Sequence, residues 1–147
     1  MASKTVWPQE VTEVSTTALN QVGEIVNSPD GTKQYMYIQA NGAIPIKSAV
    51  KLDSAVNDGV SVLVATNDDE GVIGVSVSTL ALDEFAWIQV RGDVLCKVIV
   101  ATATGSILAS GATDGTLKLA VVTDLAPAKG IVALETGVAA GSLVKLF

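Results

Sequence analysis

The chain of 147 residues contains no histidine and a single cysteine, Cys96. Histidine is the usual general base near neutral pH and the commonest metal ligand. Its absence excludes Ser-His-Asp and Cys-His catalysis and most transition-metal sites. One cysteine cannot close an internal disulfide, so the expected chain folds without covalent staples, in a cytoplasm. Cys96 lies in the apolar run Leu95-Cys96-Lys97-Val98-Ile99-Val100. There it reads as a buried strand thiol, because free Cys behaves as a small hydrophobe. A reactive thiol would need a base beside it.

Charge is scarce too. Charged residues make up 16% of the chain, below the usual quarter, and the net charge is −6,. That sign opposes phosphate backbones, and Lys and Arg nowhere cluster, so nucleic acid is excluded as an expected partner. Aromatics are only 4%, thin material for a glycan-binding platform. Long apolar runs are missing: Val62-Leu63-Val64-Ala65 and Val98-Ile99-Val100-Ala101 are far too short to cross a bilayer,. Met1-Ala2-Ser3-Lys4 leads into polar sequence without a secretory apolar stretch,. No membrane partner and no cofactor is expected.

What is present is Val, Ala, Thr, Ser and Gly in short alternating runs. A chain of this length fits one domain and buries about 68–70% of its unfolded surface. Turn pairs recur: Pro29-Asp30-Gly31, Asn41-Gly42, Asn57-Asp58-Gly59, Glu70-Gly71, Gly92-Asp93 and Asp114-Gly115,. Between them lie strand patterns of period two. These are Tyr35–Ile38, Val60–Val64, Ile73–Val77, Phe85–Val90 and Val94–Val100, the last two joined by a hairpin at Gly92. Leu117–Val121, Gly130–Leu134 and Leu143–Leu146 read as closing strands. Helix signals are poor; Asp53–Asn57 and Leu80–Glu84 offer one turn each,. The expected fold class is all-β, a compact antiparallel β-barrel or sandwich over residues 21–147, with an extended N-terminal arm over residues 1–20. Alternation places Ile38, Val62, Val64, Ile73, Val75, Ile88, Val90, Val98 and Val100 in the core. Trp87 shares its strand face with Phe85, Gln89 and Arg91, and a one-residue slip would invert these faces.

Candidate chemistry is sparse. Asn67-Asp68-Asp69-Glu70 crowds oxygen ligands but lacks the spacing and distal Glu of a calcium loop,. Arg91-Gly92-Asp93 matches an adhesion tripeptide, yet a hairpin turn accounts for it. Asp53, Asp83, Glu84 and Asp93 are the carboxylates open to acid–base pairing, and nothing in the sequence brings two together. Gly105–Gly115 lacks the Lys of a phosphate loop. No catalytic or metal-binding set emerges, and a non-enzymatic role is expected. Shape recognition remains: Trp7, on the arm, is costly to leave in water and suits a binding anchor.

Several segments together resemble the small capsid decoration, or cement, proteins of tailed bacteriophages. They are Gly23-Glu24-Ile25, Asp30-Gly31, Tyr35–Ala40, Ala43–Val50, Gly71-Val72-Ile73-Gly74-Val75, Phe85–Gly92 and Ala139–Val144. The likeness covers residues 22–147, and the pairing of Gly71–Val75 with Phe85–Gly92 is its most specific part. It implies a homotrimer on the outer surface of the head, bridging capsomers, with the major capsid protein as partner and the virion as location. Trp7, Pro8, Val11 and Val14 are then the expected shell contacts. Trp87, Gln89, Arg91 and Phe147 are the expected subunit interface. The alternative is a tail-associated module that grips a host surface or glycan.

Overall fold

The first turn shows how the Asp-Gly pairs work. In the computed structural model, which describes residues 11–53, 61–65, 71–99, 102–111, 113–120, 130–136 and 141–147, Asp30 anchors the turn between two strands. Its Oδ1 accepts hydrogen bonds from Ser28 Oγ at 2.6 Å, Thr32 N at 3.0 Å and Thr32 Oγ1 at 2.8 Å. The Ser28 hydroxyl first, then Thr32, favour the ionised form and hold the Asp30 carboxyl down at about 2,. Gly31 supplies the left-handed residue, φ +73°,. The turn joins β1 (Ile25–Asn27) to β2 (Gln34–Ala40), with Val26 opposite Tyr35.

Eight further strands follow among the described residues: β3 (Ala49–Leu52), β4 (Ser61–Val64), β5 (Val72–Ser76), β6 (Phe85–Cys96), β7 (Ile107–Ser110), β8 (Leu117–Leu119), β9 (Ile131–Ala133) and β10 (Ser142–Leu146). The protein is all-β, in the sheet order β1-β2-β4-β3-β5-β6-β10-β9-β7-β8. Among the described residues every pairing between these strands is antiparallel except the short one between β2 and β4. β6 also pairs with β2, so the ladder β2-β4-β3-β5-β6 returns to its first strand. The sheet as a whole stays open, with β1 and β8 as its ends among the described residues.

Three apolar clusters result, and β6 contributes to all of them. Ala86, Ile88 and Val90 pack with Ile38, Ala40, Ile44, Val50 and Leu80. Trp87 packs with Val11, Val26, Tyr35 and Tyr37. Val94 and Cys96 join the largest cluster, with Leu108, Leu117, Ile131 and Val144 from the C-terminal strands. Of the expected core, Ile38, Val75, Ile88, Val90 and Val98 are buried and Ile73 is half-buried. The side chains of Val62 and Val64, and Val100 entirely, lie outside the described residues.

Two expectations are corrected. Phe85–Val90 and Val94 onward are not the arms of a hairpin; they are one strand of 12 residues. Gly92 has φ +95°, but the positive angle serves a close approach instead of a reversal. A Cβ there would lie 2.6 Å from the Thr32 carbonyl oxygen. Of the expected arm, the second half is described. Residues 11–20 lie against the domain: Ser15 exchanges hydrogen bonds with Phe85 (3.0 and 2.8 Å), and Leu19 N donates to Tyr37 Oη at 3.1 Å. Residues 1–10 lie outside the described residues. The second correction is the single helical turn expected at Leu80, which is not a helix: Ala81–Glu84 is a tight turn whose Asp83 takes φ +67°. The one expected over Asp53–Asn57 falls outside the described residues after its first position.

Candidate functional site

The middle of β6 is where the two parts of the sheet meet, and a buried amide marks it. Gln89 is 2% exposed, at a position where alternation with apolar neighbours suggested an interface rim. Its Nε2 donates to the carbonyl oxygens of Arg91 at 3.1 Å and Asp93 at 2.9 Å. Satisfying that amide inside the fold removes most of the cost of burying it. The pairing of β6 with β2 shifts register at this point, from Tyr35↔Gln89 to Gln34↔Arg91. Beyond the shift the partner of β6 is β10, with Gly92↔Leu146 through Cys96↔Ser142.

A cleft of about 380 Å³ opens beside this joint. Val11, Tyr35, Val77, Leu95 and Leu143 supply its apolar walls, and Gln89 also lines it. Lys33, Lys47 and Asp93 bring charge of both signs. Burial raises the Tyr35 phenol above its ordinary pKa, and the Asp30 charge adds to the effect,. Lys47 takes φ +61°, a left-handed angle unusual for a long side chain,. Its Cδ would lie 3.1 Å from a Cβ placed on Gly141, so the glycine leaves room for the lysine stem.

The second half of β6 is bare on one side. Arg91, Asp93 and Leu95 are exposed, while Gly92, Val94 and Cys96 are buried. The exposed side continues across the sheet through direct cross-strand neighbours. Asp93 faces Lys145, Lys145 faces Val132, and Val132 faces Ile107; Leu95 faces Leu143. Such neighbours share a face of the sheet.

Of the acidic residues open to catalysis, Asp83 and Glu84 share one turn, and Asp53 and Asp93 lie on other segments. Asn41 Nδ2 donates to Asp53. Glu84 Oε2 accepts from Ala81 N at 2.7 Å. Asp83 sits in a turn, and Asp93 stands opposite Lys145. Among the described residues no group of three or more Asp, Glu or Cys is placed to hold a metal ion. The Asn67–Glu70 cluster lies outside the described residues. Cys96 is fully buried, and burial pushes its thiol up to about 12,.

The expected contact residues divide sharply. Trp7 and Pro8 lie outside the described residues. Val11 is 6% exposed and packs against Tyr35 and Trp87, and Val14 packs on the Ile38–Ile88 cluster. Val11 thus spends its apolar surface inside the chain, which corrects its assignment to shell contact, while Val14 is half-buried and keeps part of its surface free. Trp87 is 3% exposed, with its ring 4.9 Å from that of Tyr37. Trp87 and Gln89 therefore have no area left for another subunit. Arg91 and Phe147 are exposed, Phe147 at 60%. Sequence reasoning missed Asp93, Leu95, Val132 and Leu143; only cross-strand register brings them together. No protein-family model matches the chain, and no curated protein matches it in sequence.

Proposed function

We propose that the chain is a structural virion protein, a trimeric decoration protein that seats on the outer surface of a tailed-phage head and ties capsomers together. The observation that carries this reading is the joint presence of Gly71-Val72-Ile73-Gly74-Val75 and Phe85–Gly92, the most specific segments of the resemblance. They fall on β5 and the first half of β6, neighbouring strands joined at Val75↔Gln89. A Cβ on Gly74 would run into the Gln89 carbonyl oxygen, so the motif glycine has a packing reason. A motif built for packing fits a protein that works by shape. A preorganised β module loses little entropy on docking. Three copies on one axis engage a shell with high effective concentration after the first contact. Trp7, Pro8 and Val14 remain the proposed shell contacts, now without the buried Val11.

The test is binding to mature heads that lack the protein, measured by co-sedimentation and quantitative gel analysis. Saturation at hundreds of copies per head supports decoration, and removing residues 2–10 should cut occupancy at least tenfold. A handful of copies per particle would favour the tail-associated reading, and no binding would overturn both.

A further inference from the structure

We infer that the bare face of the C-terminal strands, centred on Leu95 and Leu143 and reaching Ile107, is where one copy of this chain meets another. An antiparallel sheet with one side in water ordinarily turns polar residues outward. Here an apolar side chain holds an outward position on each of four adjacent strands: Leu95 on β6, Ile107 on β7, and the half-buried Leu143 on β10 and Val132 on β9. Leu95 is 44% exposed and Ile107 51%. Phe147 follows β10 on the same alternation, with Lys145 Nζ 5.7 Å from its ring centroid. The inward positions of these strands already fill the largest core cluster. The outward row is therefore surplus to folding the single chain, and contiguous apolar surface of this kind marks an association site.

Charge argues for a second copy as the occupant. The face mixes both signs: Asp93 lies between Arg91 on its own strand and Lys145 across from it, Glu135 Oε1 accepts from Leu143 N at 2.7 Å, and Lys118 stands opposite Ala109 beside Ile107. A strongly basic or acidic partner would meet the wrong sign somewhere on this surface. A second copy brings the same mixture, so its Asp93 can stand against the first copy's Arg91 or Lys145 while the leucines pack. About a two-fold axis the same residues meet, whereas about a three-fold axis one part of the patch meets a different part of it on the next copy. The number three rests on the proposed function; the choice of surface does not.

The experiment is light scattering on the purified full chain across about 5 to 200 µM protein, with circular dichroism as the fold check. Wild type should run as a multiple of the 15.0 kDa chain. Leu95→Glu and Ile107→Glu should each weaken association at least tenfold and shift the mass toward 15.0 kDa. Ile25→Glu, on β1 at the other end of the sheet, should leave the mass unchanged. Should either Glu variant lose its β spectrum, the uncharged pair Leu95→Ala with Ile107→Ala decides, with a smaller loss in the same direction. A wild-type monomer at every concentration overturns the inference and the trimer together. An oligomer that ignores these substitutions overturns this surface alone and leaves a trimer built elsewhere. Head binding is measured separately, so neither outcome is confused with loss of decoration.

Discussion

The two halves of β6 are made of similar residues and live in opposite surroundings. Phe85–Val90 is covered on both sides, by the Ile38–Ile88 cluster on one and by Val11, Val26 and the Tyr35–Tyr37 aromatics on the other. Arg91–Cys96 is covered on one side only, and its outward residues look into the cleft and across the bare sheet. The first half holds the fold together; the second half is free to hold something else. What separates them is a register shift beside a glycine and a glutamine whose amide caps two backbone carbonyls.

That contrast can be broken from either end. Trp87→Ala, in the covered half, should cost about 3–5 kcal/mol, because a large aromatic leaves a cavity its neighbours cannot fill; urea unfolding measures it. A near wild-type midpoint would mean Trp87 is not core. Gly92→Ala, at the joint, should cost about 1–3 kcal/mol, since it combines a positive φ with a close approach to Thr32,. Arg91→Ala, in the bare half, should change unfolding free energy by no more than about 0.5 kcal/mol at low protein concentration.

Two further measurements sharpen the same comparison. Removing residues 2–10 should leave the melting temperature unchanged, whereas removing 2–14 should lower it by several degrees because Val11 and Val14 go with it. The smallest effect is acid sensitivity at the turn that feeds the joint. Asp30 has a folded pKa of about 2 against 3.8 for the free group. Its contribution is therefore present above pH 4 and lost as pH falls toward 2. Asp30→Asn should melt with a shallower dependence on pH across that window than wild type.

Much of the strand content was readable, and for a definite reason. Turn pairs such as Asp30-Gly31 and Asp114-Gly115 force the backbone locally, and both glycines take φ +73° where expected. Short runs of apolar residues found β2, β5 and β10 because alternation is a property of neighbours in the chain. Gln89 and Gly92 misled for the converse reason. A polar residue in an alternating run reads as outward, and a glycine between two runs reads as a turn. Gln89 is inward because Arg91 and Asp93 offer it carbonyls, and Gly92 lies within a strand because Thr32 comes close. Val11 misled likewise: nothing beside it in sequence announces the pocket made by Tyr35 and Trp87.

The amino-acid order alone determined that this is a β protein, without histidine chemistry or disulfides, with its strands punctuated by glycine turns. Those features depend on residue identity and on neighbours one or two positions away. Which side of each strand faces solvent was decided by the tertiary structure. Burial depends on register between strands such as β6 and β10, whose partners are some fifty residues apart, and no local pattern encodes that distance.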